Sequence, residues 1–212
     1  MAPLVAIKGG IGKTTMAFQF AKFLQTQDQK VLMIDLDAQK SLTGTFENEH
    51  FNFSGKPTIA DVLEKPSSGL IETQVQDNIV IIPSTSNLEE VADRLASKPN
   101  RELLLFMWFV KNAQELNQKY DYIIKSYITA NVFFLGNRIK HNTNSSHEFL
   151  SALKHIDNVI GVIPERELVN TSMLAKEGIL EYATQNDKLH EQEPFLKLLS
   201  DVFSEIQKQG ND

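Results

Sequence analysis

The sequence predicts an α/β fold with a doubly wound, mostly parallel sheet flanked by helices. Three observations carry that expectation. Short, unbroken apolar runs recur along the chain, helical patterns lie between them, and a glycine-rich turn joins the first run to the first helix. Continuous apolar runs rich in Val, Ile and aromatics, without polar alternation, mark strands covered on both faces. Strands that alternate with helices build a parallel sheet with helices on either side. The 212 residues and 42% apolar content suit one globular domain spanning 1–212.

The elements follow in order. LVAI (4–7) reads as the first strand, and the helix 14–26 places Ala17, Phe18, Ala21 and Leu24 on one face. VLMID (31–35) is the next strand, and the polar stretch 39–56 is expected to loop over the sheet's carboxyl edge, where ligands bind in such folds. Thr58 with Asp61 three residues on, and Ser86 with Glu89, are capping pairs for short helices on either side of the strand IVIIP (79–83). Asn100 precedes a long helix through RELLLFMWFVKNAQELNQ. YDYII (120–124), VFFLG (132–136) and VIGVI (159–163) complete the strands. Ser145 with Glu148 opens a helix ending near His155. The last helix, PFLKLLSDVFSEIQK, carries Phe195, Leu198, Leu199, Val202, Phe203 and Ile206 at helical spacing.

Composition excludes several classes of function. No apolar run approaches the roughly 20 residues of a membrane span, and MAPLVAIKGG lacks the charged start and cleavage site of a signal peptide. The absence of cysteine rules out disulfides and thiolate metal sites and fits a reducing cytoplasm. The five histidines are scattered, with no pair at metal-ligand spacing. A net charge of -6 argues against a chain coated in basic residues, while leaving room for a local basic patch.

The chemistry concentrates in KGGIGKTT (8–15). Gly12, Lys13 and Thr14 end the phosphate-binding pattern G-x-x-x-x-G-K-[ST], which follows a strand and opens a helix. Gly9, Gly10, Ile11 and Gly12 can turn backbone N–H groups toward phosphate oxygens, and the helix start at Thr14 and Thr15 adds its positive end. Lys13 would neutralise the β- and γ-phosphates, and the Thr14 hydroxyl would bind Mg²⁺. The pattern is not the ordinary one. Its first glycine falls on Ile7, and a second lysine, Lys8, follows.

This form, K-G-G-x-G-K-T-T, resembles the deviant loop of the ParA/MinD family of dimeric ATPases. VLMIDLDAQKSLTG (31–44) resembles the family's second motif, and TIADVL, IVIIPSTSNLEE, YDYII, FLGNRI, VIGVIPERE and GILEYA resemble further segments in the expected order. The likeness covers nearly the whole chain and is nearest to ParA proteins, which partition plasmids and chromosomes. It implies an ATPase that binds ATP or ADP with Mg²⁺ and closes as a homodimer around two nucleotides. Lys8 would reach the partner's nucleotide, a cation that stabilises phosphate charge only in the closed dimer. Asp35 would interact with the Mg²⁺ shell and Asp37 would orient the attacking water. Asn137, Arg138, Pro164 and Glu165 would surround the adenine. Non-specific DNA, a centromere-binding ParB-like protein and a cytoplasmic, nucleoid-associated location are implied too, with no membrane. A MinD-like membrane-associated positioning ATPase and a nucleotide-gated module without hydrolysis are the alternatives.

The chain departs from the family pattern in three places. The strand YDYII should run into an aspartate near Mg²⁺, but Lys125, Ser126 and Tyr127 stand there. Leu168 occupies a place where many ParA proteins carry an arginine, with Arg166, Lys154 and Lys176 nearby. Only seven residues, Lys125 to Asn131, join two strands that the family places in one parallel sheet, whereas a parallel crossover takes about a dozen or more. A stretch holding the acid, a helix and a strand is therefore expected to be missing between Ile124 and Val132, and a residue or two before the loop likewise. A natural deletion is the alternative, and it would remove core strands.

Overall fold

The computed structural model describes residues 12–120, 134–139, 144–155, 159–164 and 166–210. The expected strand 4–7 and the join between Ile124 and Val132 lie outside those residues, as does the strand 120–124 apart from Tyr120, which ends a helix. The chain forms two compact units, one of residues 24–128 and one of residues 1–23 with 129–212.

In the unit of residues 24–128, β1 (Val31–Ile34), β2 (Thr73–Gln76) and β3 (Ile79–Ile82) form a sheet in the order β1-β3-β2. β1 runs parallel to β3, with Val31 opposite Ile79 and Ile34 opposite Ile82. Every residue of β3 is buried, as a central strand with an unbroken apolar run requires. β2 is antiparallel to β3, turning back through Asn78 at φ 59°, with a bulge between Gln74 and Gln76. Its sequence TQVQ is too polar to read as a buried strand, and as an edge strand it does not need to be one.

Helices surround this sheet. α2 (Ser41–Thr45) interrupts the stretch expected as a loop over 39–56. α3 (Ile59–Glu64) starts as the capping pair dictates: the Thr58 N–H donates to the Asp61 carboxylate at 2.7 Å. α4 (Leu88–Leu95) corrects the other pair, because Asn87 and not Ser86 precedes its first turn, and the Thr85 hydroxyl donates to the Asn87 side chain at 2.7 Å. The long helix expected after Asn100 is three pieces, a 3₁₀ turn (Arg101–Leu103), α5 (Leu104–Lys111) and α6 (Ala113–Tyr120). Asn112 makes the break. Its buried side-chain amide donates to the carbonyls of Ser68 at 3.1 Å and Trp108 at 2.9 Å, and its backbone leaves the helical region at φ -100°, ψ 11°.

Ile59, Val62, Ile82, Leu88, Trp108 and Leu116 form the core here. Trp108 is wholly buried, and its indole N–H donates to the Gly69 carbonyl at 3.2 Å. Trp108→Ala would open a cavity and orphan that carbonyl, so a loss of about 3–5 kcal/mol is expected in urea unfolding. A loss under about 1 kcal/mol would show that Trp108 does not anchor the core.

The other unit contains α1 (Lys13–Thr26), β4 (Phe134–Ile139), α7 (Asn144–Leu153), β5 (Val159–Pro164), α8 (Glu167–Leu174), α9 (Ile179–Gln185) and α10 (Leu189–Gly210). β4 and β5 pair in parallel, from Phe134 opposite Val159 to Ile139 opposite Pro164. β4 runs three residues beyond the expected 132–136. α10 starts five residues before Pro194, earlier than its sequence was read. Its stripe is as expected, with Phe195, Leu199 and Val202 buried. Phe203 meets Phe20 of α1 edge-on, ring centroids 6.5 Å apart. Of the expected α1 face, Phe18 and Ala21 are buried while Ala17 and Leu24 are half-buried. Gln19 of α1, at 0% exposure, is held at both ends of its amide. Its nitrogen donates to the Ser172 hydroxyl at 2.9 Å, and its oxygen accepts the Ile179 N–H at 2.7 Å.

Candidate functional site

α1 opens where the glycine-rich loop predicts. Gly12 has φ 85°, a left-handed backbone that favours glycine. Its carbonyl accepts the Met16 N–H at 2.9 Å and so begins the helical ladder. Lys13 is the first helical residue, and Lys13, Thr14 and Thr15 are all half-buried. The first N–H groups of a helix have no partner within it and carry its positive end. No acidic side chain lies in the first turn of α1 to answer that charge. A phosphate is the natural partner for such a start. Lys8, Gly9, Gly10 and Ile11 lie outside the described residues, and so does Glu165.

Asn137 and Arg138 stand in the second half of β4, and Pro164 ends β5. The parallel register sets Ile139 opposite Pro164, so the three positions share the carboxyl end of this strand pair. Ligands of open α/β folds bind at such ends.

Asp35 and Asp37 both lie past the last residue of β1. Two acids on a strand, one residue apart, would face opposite ways. Here the chain turns instead, and the Asp37 N–H donates to Asp35 Oδ1 at 3.1 Å. Asp35 is buried, with Oδ2 accepting the Thr43 N–H at 2.9 Å and the Thr43 hydroxyl at 2.7 Å. Thr43 Oγ in turn accepts the Ser84 N–H, 2.9 Å away, just beyond β3. Asp37 is exposed, and its Oδ1 accepts the Gln39 N–H at 3.0 Å. One carboxylate is locked from several sides and the other stands in solvent.

Thr43 and Ser84 were not singled out from the sequence. The signal for Thr43 was its place in SLTG, eight residues after Asp35 and inside the second motif. The Ser84 hydroxyl is buried and has no hydrogen-bond partner among the described residues.

Residues 3–127 match a family model described as an AAA domain. The chain is 29% identical over 118 residues to the chromosome partitioning protein ParA of Myxococcus xanthus, a match covering 55% of this chain and 40% of that protein. It is 26% identical over 192 residues to the sporulation initiation inhibitor protein Soj of Bacillus subtilis, covering 85% of this chain and 72% of that one. Among solved structures, a putative plasmid partition protein from Borrelia burgdorferi bound to AMPPNP superposes with a TM-score of 0.62 at 20% identity, over 97% of each chain. That likeness shows the fold, a doubly wound α/β P-loop architecture.

Proposed function

The chain belongs to the AAA-domain family in its ParA/MinD branch of P-loop ATPases, and from that premise we propose that it is a ParA-like partition ATPase. In this reading it binds ATP with Mg²⁺, closes as a homodimer, holds DNA without sequence preference in that state, and hydrolyses ATP when a ParB-like partner engages it. It acts in the cytoplasm on the nucleoid. The observation that carries the reading is the start of α1: a left-handed Gly12, then Lys13 as the first helical residue, in a first turn free of acids.

The donor chemistry fits Mg²⁺. In this reading the Thr14 hydroxyl and Asp35 Oδ1, which keeps a lone pair among the described residues, are hard oxygen donors. No group of three or more His, Cys, Asp or Glu that could hold a metal occurs among the described residues. Mg²⁺, when bound, would neutralise charge building on the phosphates. Lys13 grips the β- and γ-phosphates, Asp37 orients the attacking water, and Lys8 supplies a cation to the partner's nucleotide. Asn137, Arg138, Pro164 and Glu165 border the adenine.

The membrane-positioning alternative would need a basic amphipathic anchor. α10 mixes Asp201 and Glu205 with Lys197 and Lys208, and Phe195, Leu199 and Val202 of its apolar stripe are buried. Among the described residues no helix is long and apolar enough to cross a membrane.

DNA retention measured with ATP, with ADP and without nucleotide tests the proposal. Retention is expected only with ATP, and it should fall about tenfold or more between 50 and 200 mM salt. Lys8→Ala should abolish it while ATP binding stays measurable. Retention independent of nucleotide would overturn the reading.

A further inference from the structure

We propose that Thr43 is a positioning residue that selects which oxygen of Asp35 faces the nucleotide-bound Mg²⁺. This rests on the role given to Asp35 above.

The hydrogen-bond directions fix the arrangement. Thr43 Oγ accepts the Ser84 N–H at 2.9 Å, and its single proton goes to Asp35 Oδ2 at 2.7 Å. The Thr43 N–H donates to the same oxygen at 2.9 Å. Both lone pairs of Oδ2 are therefore used. Oδ1 accepts the Asp37 N–H at 3.1 Å and keeps one lone pair among the described residues. An aspartate carboxylate otherwise rotates broadly about its last torsion and presents either oxygen. Among the described residues only Oδ1 is left with an open lone pair, and it is the oxygen tied to the backbone of Asp37. Thr43 is 1% exposed and Asp35 4%, so water does not compete for these bonds. The chain from the Ser84 N–H through the Thr43 hydroxyl to the carboxylate is polarised in one sense, which strengthens each bond in it. The end of β3 thus aims the acid that follows β1.

Removing a group that orients a metal-facing ligand costs 10–100-fold in metal affinity. The experiment titrates Mg²⁺ against binding of a fluorescent ATP analogue to the full chain, for the parent, Thr43→Val, Thr43→Ser and Asp35→Asn. Thr43→Val keeps volume and loses the hydroxyl. It should raise the Mg²⁺ concentration for half-maximal effect about tenfold and leave Mg²⁺-free affinity unchanged. Thr43→Ser restores the hydroxyl and should stay within about threefold of the parent. If Asp35→Asn shifts the Mg²⁺ dependence and Thr43→Val does not, the positioning role is wrong. If Asp35→Asn leaves it unmoved, the role of Asp35 itself falls, and this proposal with it. A Thr43→Ser shift as large as that expected for Thr43→Val also overturns the proposal, and that arm stands even if the valine variant does not fold.

Discussion

Replacing Lys13 with alanine is expected to abolish ATP binding. Lys13 is the first residue of α1 and only half-buried, so its ammonium can reach a phosphate and its loss should leave the fold intact. Truncating one partner of a close, hydrogen-bonded charge pair costs about 2–5 kcal/mol, and each 1.4 kcal/mol is tenfold in affinity. The dissociation constant for a fluorescent ATP analogue should therefore rise at least about thirtyfold. The first turn of α1 holds no other charge of either sign that could compensate. A thermal melt matching that of the parent would attribute the loss to the site. An affinity within about threefold of the parent would remove Lys13 from the phosphate grip and the central support of the functional reading with it.

Asp37→Ala should separate binding from turnover. The Asp37 side chain is exposed, and its one hydrogen bond among the described residues, to the Gln39 N–H, stays within its own turn. Removing it disturbs little packing. A group that takes or orients the proton of an attacking water contributes roughly 10²–10⁴-fold, so phosphate release should fall at least about a hundredfold. ATP affinity should hold, and an ATP-bound dimer should accumulate in gel filtration. Turnover at the parent rate would reassign the water-orienting role. If the parent itself releases no phosphate with DNA and partner present, the module without hydrolysis gains its main support, already motivated by Lys125 standing where an acid is expected.

The fold was most legible where the deciding forces are local. Gly12 before Lys13, the Thr58–Asp61 pair and the apolar run of β3 act within a few residues, and the structure repeats them. Where a distant partner decides, the sequence was silent. The break between α5 and α6 depends on an Asn112 amide bonded to a carbonyl 44 residues away, while the neighbouring pattern is strongly helical. β2 has almost no apolar signal because it is an edge strand, held by pairing with β3. The candidate site divides in the same way. Lys13 and Thr14 follow from motif spacing, and Asp35 and Asp37 from the resemblance to the family's second motif. Thr43 and Ser84 emerge only when β1, α2 and β3 are folded together, since their roles are bonds across 8 and 41 residues.

Gln19 imposes a constraint on how this sequence can change over evolutionary time. Its amide nitrogen serves Ser172 and its oxygen serves the Ile179 N–H, in a place closed to water. Glutamate has the same shape but no donor, and it would bring a charge into a closed interior. Asparagine has both functions but is one methylene short. Leucine or methionine would fill the volume and strand the Ile179 N–H. No single substitution conserves the arrangement, so position 19 can drift only together with positions near 172 and 179. Residues 153 apart in the chain thus share one hydrogen-bonded arrangement.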